Sequence, residues 1–129
     1  MRLLLDTSVL IDVLRSRNQR CELLAELARS GHSFATSALN VAEVYAGMRP
    51  EEERETESFL DALQCHELSR SAAQIAGAFK NRWGRKGRTL TLADAIVAAV
   101  ALKHGCVLMT DNRQDFPMPE LEYYPLPQN

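Results

Sequence analysis

The sequence predicts an α/β protein, a three-layer α/β/α sandwich built on a parallel sheet. Three observations carry that prediction. Short apolar runs of strand length alternate with longer segments of helical spacing. The strand candidates, such as Leu3–Leu5 and "CVLMT" at 106–110, are continuous apolar runs, the pattern of strands buried on both faces. A length of 129 residues, with 46% apolar and 25% charged residues, is that of one globular domain over 1–129 with a sizeable core.

The elements follow in order. Leu3–Leu5 is the first strand. "SVLIDVL" at 8–14 then takes helical spacing, with Val9 and Leu10 one turn before Val13 and Leu14. "CELLAELA" at 21–28 is an amphipathic helix stopped by Ser30-Gly31. "HSFATSA" at 32–38 is the second strand and "NVAEVYAGM" at 40–48 a helix. Pro50 introduces the acidic helix "EEERETESFLDAL" at 51–63, and "CHEL" at 65–68 is a third short strand. "SAAQIAGAFKNRW" at 71–83 is a helix ended by Gly84. "LADAIVAAVALKHG" at 92–105 is a nearly all-apolar helix with Gly105 as its stop, which marks it as buried all round. "CVLMT" is the fourth strand, closed by the polar turn "DNRQD", and "LEYYPL" at 121–126 is a final edge strand.

Composition excludes several classes. The net charge of −2 gives no global field for nucleic acid, so any such role rests on a local patch or on bound cations. Cys21, Cys65 and Cys106 are odd in number and far apart, as expected of small hydrophobes in a reducing compartment rather than of a disulfide framework or zinc site. Asp6 and Asp12 interrupt any leader-like apolar stretch, and the longest apolar run, Ala95 to Leu102, is far short of a membrane span. The expected location is the cytoplasm, with no membrane partner. His32, His66 and His104 stand in no metal-ligand spacing and read as structural or surface residues.

The chemistry lies in the acids. In parallel α/β folds, ligands bind outside the carboxyl ends of the strands. Asp6 ends the first strand; Asp111 follows the fourth, with Asp115 four residues on. Glu43 and Asp94 stand near helix starts, three residues after Asn40 and Thr91. Each has a local explanation: Thr91 with Asp94, and Asn40 with Glu43, resemble capping boxes, Asp6 suits an N-cap, and Asp111-Asn112 suits a turn. Strand ends and helix starts nevertheless share one edge of a parallel sheet. Carboxylates gathered there repel and shift their pKa upward unless a hard cation sits among them, and all-oxygen ligation suits Mg²⁺ or Mn²⁺.

Three stretches, "LLLDTSVLID", "LNVAEVYAGM" and "LTLADAIVAAVALKHGCVLMTDNRQDF", together resemble a PIN-domain ribonuclease of the VapC type, the toxin of type II toxin–antitoxin systems. The resemblance runs from Arg2 to about Phe116 and implies a PIN-like sandwich, in agreement with the independent reading. It implies an acidic site of Asp6, Glu43, Asp94 and Asp115, with Asp111 as the other candidate for the fourth acid. Thr7, Ser8, Thr110 and Asn112 match the polar residues that orient those carboxylates. The implied activity is Mg²⁺- or Mn²⁺-dependent endoribonuclease hydrolysis of phosphodiester bonds by metal-activated water. In this reading Asp6 and Asp94 ligate the metal directly, while Glu43 and Asp115 bind a second ion or hold its water. The implied partners are an RNA substrate, a cognate VapB-type antitoxin and a second copy of the chain.

The tract "KNRWGRKGR" at 80–88 holds Arg82, Arg85, Lys86 and Arg88 around Trp83. It reads equally as an RNA-backbone track with a stacking tryptophan or as a solvated helix end. Two rival readings stay open. A haloacid-dehalogenase-like phosphohydrolase would use an acid after the first strand, but wants a second acid where Ser8 stands. A non-catalytic antitoxin-binding module would not need the full acid set.

Overall fold

The computed structural model describes residues 1–127. Twelve elements follow one another: β1 (Arg2–Leu5), α1 (Thr7–Leu14), α2 (Arg20–Arg29), β2 (Ser33–Ser37), α3 (Ala38–Ala46), a 3-10 turn (Pro50–Glu52), α4 (Glu53–Asp61), β3 (Gln64–His66), α5 (Arg70–Arg85), α6 (Leu92–Lys103), β4 (Val107–Met109) and a second 3-10 turn (Arg113–Asp115). The strands form one sheet in the order β3-β2-β1-β4, every pair parallel.

That order explains the layers. From β1 to β2 to β3 the chain steps in one direction, and right-handed crossovers put α1 to α4 on one face. From β3 it steps back past β2 and β1 to β4, and the same handedness puts α5 and α6 on the other face. The pleat of β1 then divides the core. Leu3 and Leu5 pack with Val9, Leu10, Leu24, Val44 and Leu60 from α1 to α4. Leu4, between them, packs with Ala72, Ala76 and Phe79 of α5 and the buried stripe Ala95–Ala101 of α6. Leu108 of β4 joins the α5–α6 side, while Val107 and Met109 join the other. Both faces are covered, and the central β1 and its neighbour β4 read as unbroken apolar runs, Leu3–Leu5 and Val107–Met109. α6 lies between the sheet and α5, which accounts for its lack of a polar face.

The stops behave as the residues require. Gly31 and Gly105, after α2 and α6, take the left-handed φ values of 91° and 63°, which cost glycine nothing. Gly84 does not stop α5, which runs on to Arg85; an added Cβ there would meet nothing, so the site is an exposed helical position. "LEYYPL" forms no strand of its own. Its only ladder contact is a single parallel bridge from Tyr123 to Leu108, because Pro125 lacks the donor a longer ladder needs. The acidic helix is also shorter than its sequence pattern: Pro50 starts a 3-10 turn before α4 begins at Glu53.

Candidate active site at the carboxyl edge of the sheet

Strand order reverses at β1, with β2 and β3 to one side and β4 to the other. That switch point opens a crevice at the carboxyl ends of the strands. Asp6 stands there, directly after β1, and its backbone N–H donates to the Met109 carbonyl at the end of β4, 3.0 Å away. It is only 7% exposed.

Asp6 caps α1 and is also the most heavily held group of the crevice. Its Oδ1 accepts from the Thr7 N–H at 2.9 Å and from Asn40 Nδ2 at 3.1 Å. Its Oδ2 accepts from Thr110 Oγ1 at 2.7 Å. Burial pushes the Asp6 carboxyl above the usual carboxylate range and the Glu43 charge pushes the same way; the bonds from Thr110, Thr7 and Asn40 oppose both.

Glu43 is tied in from α3. Its Oε1 accepts from Thr7 Oγ1 at 2.7 Å, and Thr7 Oγ1 accepts from Asn40 Nδ2 at 3.0 Å. Asn40 is therefore not the cap of α3. Ser37 is: its Oγ accepts from the Asn40 N–H at 3.2 Å and donates to Asn40 Oδ1 at 2.5 Å. Asn40 lies wholly buried inside the helix, and its amide links the first two acids.

Asp94 stands in the first turn of α6, whose cap Thr91 accepts from the Asp94 N–H at 3.1 Å. Burial raises the Asp94 carboxyl first, and the charges of Asp6, Asp115 and Glu43 raise it further, against a hydrogen bond from Thr91. Four carboxylates thus act on one another at this edge. Asp6 forms the floor and Asp94 is half-buried, while Glu43 and Asp115 stand exposed at the rim.

The remaining sequence candidates divide. Thr110 holds Asp6 and accepts from the Asn112 N–H at 3.0 Å. Ser8 Oγ is buried and makes no hydrogen bond. Asp111 is drawn to one side: its Oδ1 accepts from Arg20 Nη2 at 2.7 Å, and Arg20 is 3% exposed. Of the basic tract, Arg82 makes a two-pronged pair with Glu120 at 2.7 and 2.9 Å. Trp83 is half-buried against the core, with Arg82 and Lys86 over its ring at 5.1 and 4.6 Å. Arg88 donates to the Gln114 carbonyl, next to Asp115. Arg85 is exposed on the outer side of α5. The sequence pattern offers Asn40 only as a helix cap and assigns Arg20 no role. An Asn between the apolar residues of "ALNVAEV" is a faint signal; Arg20 has none, its partner lying 91 residues away.

A cation would fit the chemistry of this donor set: hard oxygens, crowded, partly desolvated and mutually repelling. Among the described residues no three His, Cys, Asp or Glu side chains are arranged to hold a metal ion as they stand. Burial and the neighbouring negative charges both disfavour the ionised forms of Asp6 and Asp94, which is what a bound cation would offset.

A parallel sandwich with carboxylates gathered at its switch point is the architecture of an acid-site α/β protein, and the PIN-domain family model matches residues 3–117. The chain belongs to the PIN-domain family, on its VapC branch. Ribonuclease VapC19 of Mycobacterium tuberculosis is 33% identical over 92% of this chain and 96% of its own length. A toxin–antitoxin complex from Klebsiella pneumoniae contains a chain that superposes with a TM-score of 0.77 at 27% identity, covering 92% of this chain and 94% of that one. A chain in the crystal structure of VapBC2 from Rickettsia felis, bound to a promoter DNA fragment, shares the fold with a TM-score of 0.85 at 21% identity, over 96% and 98% of the two chains.

Proposed function

We propose that this protein is a Mg²⁺-dependent endoribonuclease that acts as the toxin of a type II toxin–antitoxin pair. The observation that carries the reading is the buried Asp6, fixed by three donors at the switch point, with Asp94 close enough to feel the charges of Asp6, Glu43 and Asp115 together. Kinship with VapC19, a ribonuclease by name, supports the substrate class.

Asp6 and Asp94 would hold the cation directly, and Glu43 and Asp115 would hold a second ion or orient the water. When bound, Mg²⁺ (or Mn²⁺) neutralises the scissile phosphate, lowers the pKa of water and favours the leaving oxygen. The chain's own residues prepare that site. Thr110 and Asn40 fix the two oxygens of Asp6, Thr7 fixes Glu43, and Asn112 bonds back to Thr110 through its N–H. The exposed Arg85, with Lys86 and Arg88, faces the RNA backbone, while Arg82 and Trp83 build the platform that holds Lys86. Partners are a VapB-type antitoxin over the acidic crevice and a second copy of this chain, in the cytoplasm. Among the described residues no helix is long and apolar enough to cross a membrane.

A haloacid-dehalogenase-like reaction fits less well. Its nucleophilic acid is followed two residues on by a second acid, and Ser8 stands where that acid belongs. The test is incubation of the purified protein with RNA and with a small phosphomonoester. RNA cleavage that needs divalent metal and is lost in Asp6→Asn supports the ribonuclease. Phosphate release from the monoester without RNA cleavage contradicts it.

A further inference from the structure

We propose that Arg20 and Asp111 form a positioning pair that holds the loop Thr110–Asp115 in register with Asp6. The proposal rests on the ribonuclease reading and adds two residues to its machinery. Asp111 is placed in it as a tether and not as a cation ligand.

The loop after β4 reaches the site through two residues, Thr110 and Asp115. Thr110 grips Asp6 directly, so an error in the loop's position is transmitted to the most buried acid. Asp111 follows it in the chain, and its carboxylate turns to Arg20 at the start of α2.

Arg20 is an unusual choice for mere stability. It is buried, and its Nε has no hydrogen-bond partner. Buried ion pairs contribute little net stability, because desolvation offsets their attraction; a buried N–H without a partner contributes less still. What such a pair does supply is fixed geometry. The strut extends further back. Arg20 Nη1 donates to the Asn18 carbonyl at 3.2 Å, and Asn18 Nδ2 donates to Asp12 Oδ2 on α1 at 2.9 Å. The loop between α1 and α2 holds Ser16, Asn18 and Gln19 at left-handed φ values of 52°, 56° and 58°, a strained path for non-glycine residues. A strained loop persists where its surroundings over-determine it, and here it ends on the guanidinium that grips Asp111. From Asp12 through Arg20 to Thr110 and Asp6, one line of bonds ties α1 to the closing loop.

The experiment uses the full chain, with Asp111→Asn, Arg20→Ala, Arg20→Lys and the double variant Asp111→Asn with Arg20→Ala. Three readouts are taken: kcat and KM on a labelled RNA oligonucleotide, Mn²⁺ affinity by electron paramagnetic resonance of the free ion, and Tm. The single variants should each lose about 10–100-fold in kcat and in Mn²⁺ affinity, the range for residues that orient ligands. KM for RNA should stay within about twofold, since no contact to substrate is removed. The double variant should be no worse than either single one, because the two act as a unit, and it keeps the test open if one unpaired charge prevents folding. Arg20→Lys should recover part of the loss. Additive losses, or loss in Asp111→Asn with full activity in Arg20→Ala, would assign Asp111 to the cation and overturn the pairing. A fall in Tm with kcat and Mn²⁺ affinity unchanged would also overturn it. If the wild-type protein cleaves no RNA, the ribonuclease reading fails, while the Mn²⁺ pattern still decides the role of the pair.

Discussion

The two ends of α6 face the same problem, ionisable groups drawn out of water, and resolve it in opposite ways. At the N-terminal end, burial raises the Asp94 carboxyl, and three further carboxylates raise it more. At the C-terminal end, His104 caps the helix and stacks on His66 with ring centroids 3.7 Å apart and planes 10° from parallel. Burial there lowers the His66 pKa, and the neighbouring His104 and Arg2 lower it further. Burial disfavours charge of either sign. At the histidine end the lowered His66 binds its proton less firmly and stacks on His104. At the acid end Thr110, Thr7 and Asn40 all donate to Asp6 and support its charged form. The donors at the acid end favour a charge that burial opposes, as the proposed cation site requires; the histidine end serves packing.

The sharpest break of that contrast is Asp94→Asn. Cleavage of RNA should fall about a thousandfold, some 4 kcal/mol of transition-state stabilisation, since the proposed function makes Asp94 a ligand to the cation. Without metal the same variant should melt at the same temperature as the wild type or higher, because a repelling charge is gone. Differential scanning fluorimetry with and without EDTA, beside the cleavage assay, checks both halves. Unfolding of the variant would instead make Asp94 a helix-capping residue.

Asn40→Ala comes next. It removes the amide that links Asp6 to Thr7 and so to Glu43, and it should weaken Mn²⁺ binding and cleavage by about 10–100-fold. Isothermal titration with Mn²⁺ measures the first effect. An unchanged affinity would mean that the network around Asp6 is structural only.

The smallest effect is a pair of opposed pH slopes. A carboxyl raised on folding holds its proton longer in the native state, so metal-free stability falls as pH rises from about 3.9 through the raised value of Asp94. A histidine lowered on folding does the reverse: the unfolded chain takes the proton first, and stability falls as pH drops below about 6.5. In metal-free buffer Asp94→Asn should flatten the first slope and His66→Phe the second, each a change of a few °C in Tm at roughly 1 kcal/mol or less. Slopes of the same sign would remove the contrast between the two ends.

Much of this was legible in the sequence because it is local or periodic. Unbroken apolar strands predicted a sheet covered on both faces, and the all-apolar pattern of α6 predicted a helix buried all round. The acids were legible because strand ends and helix starts share one edge. Their local readings held as well: Asp6 does cap α1, and Thr91 does cap α6 at Asp94. At α1 the cap and the candidate functional acid are one residue, Asp6, and at α6 they share the first turn. What was not legible depends on tertiary pairing. Asn40 was read as a cap because Asn favours caps, but Ser37, three residues earlier, takes that role and leaves Asn40 inside the helix facing Asp6. The diversion of Asp111 to Arg20 joins residues 91 apart, and nothing local announces it. Gly84 was read as a stop from its residue type, but an exposed glycine in a helix packed on α6 is carried through by the packing.

The central claim is that this charged edge directs hydrolysis by water with the help of a divalent cation. Attack by water expels the 3′-oxygen and leaves a 5′-phosphate and a 3′-hydroxyl, whereas attack by the RNA's own 2′-hydroxyl leaves a 2′,3′-cyclic phosphate. The second route commonly needs a base and an acid such as paired histidines, and the stacked pair of this chain, His66 and His104, sits at the other end of α6 from Asp94. Mass spectrometry of the fragments from a defined RNA, cut with Mg²⁺ and with EDTA, decides between them. The account predicts 5′-phosphate and 3′-hydroxyl ends formed only with the metal. A 2′,3′-cyclic phosphate, or undiminished cleavage in EDTA, would contradict it.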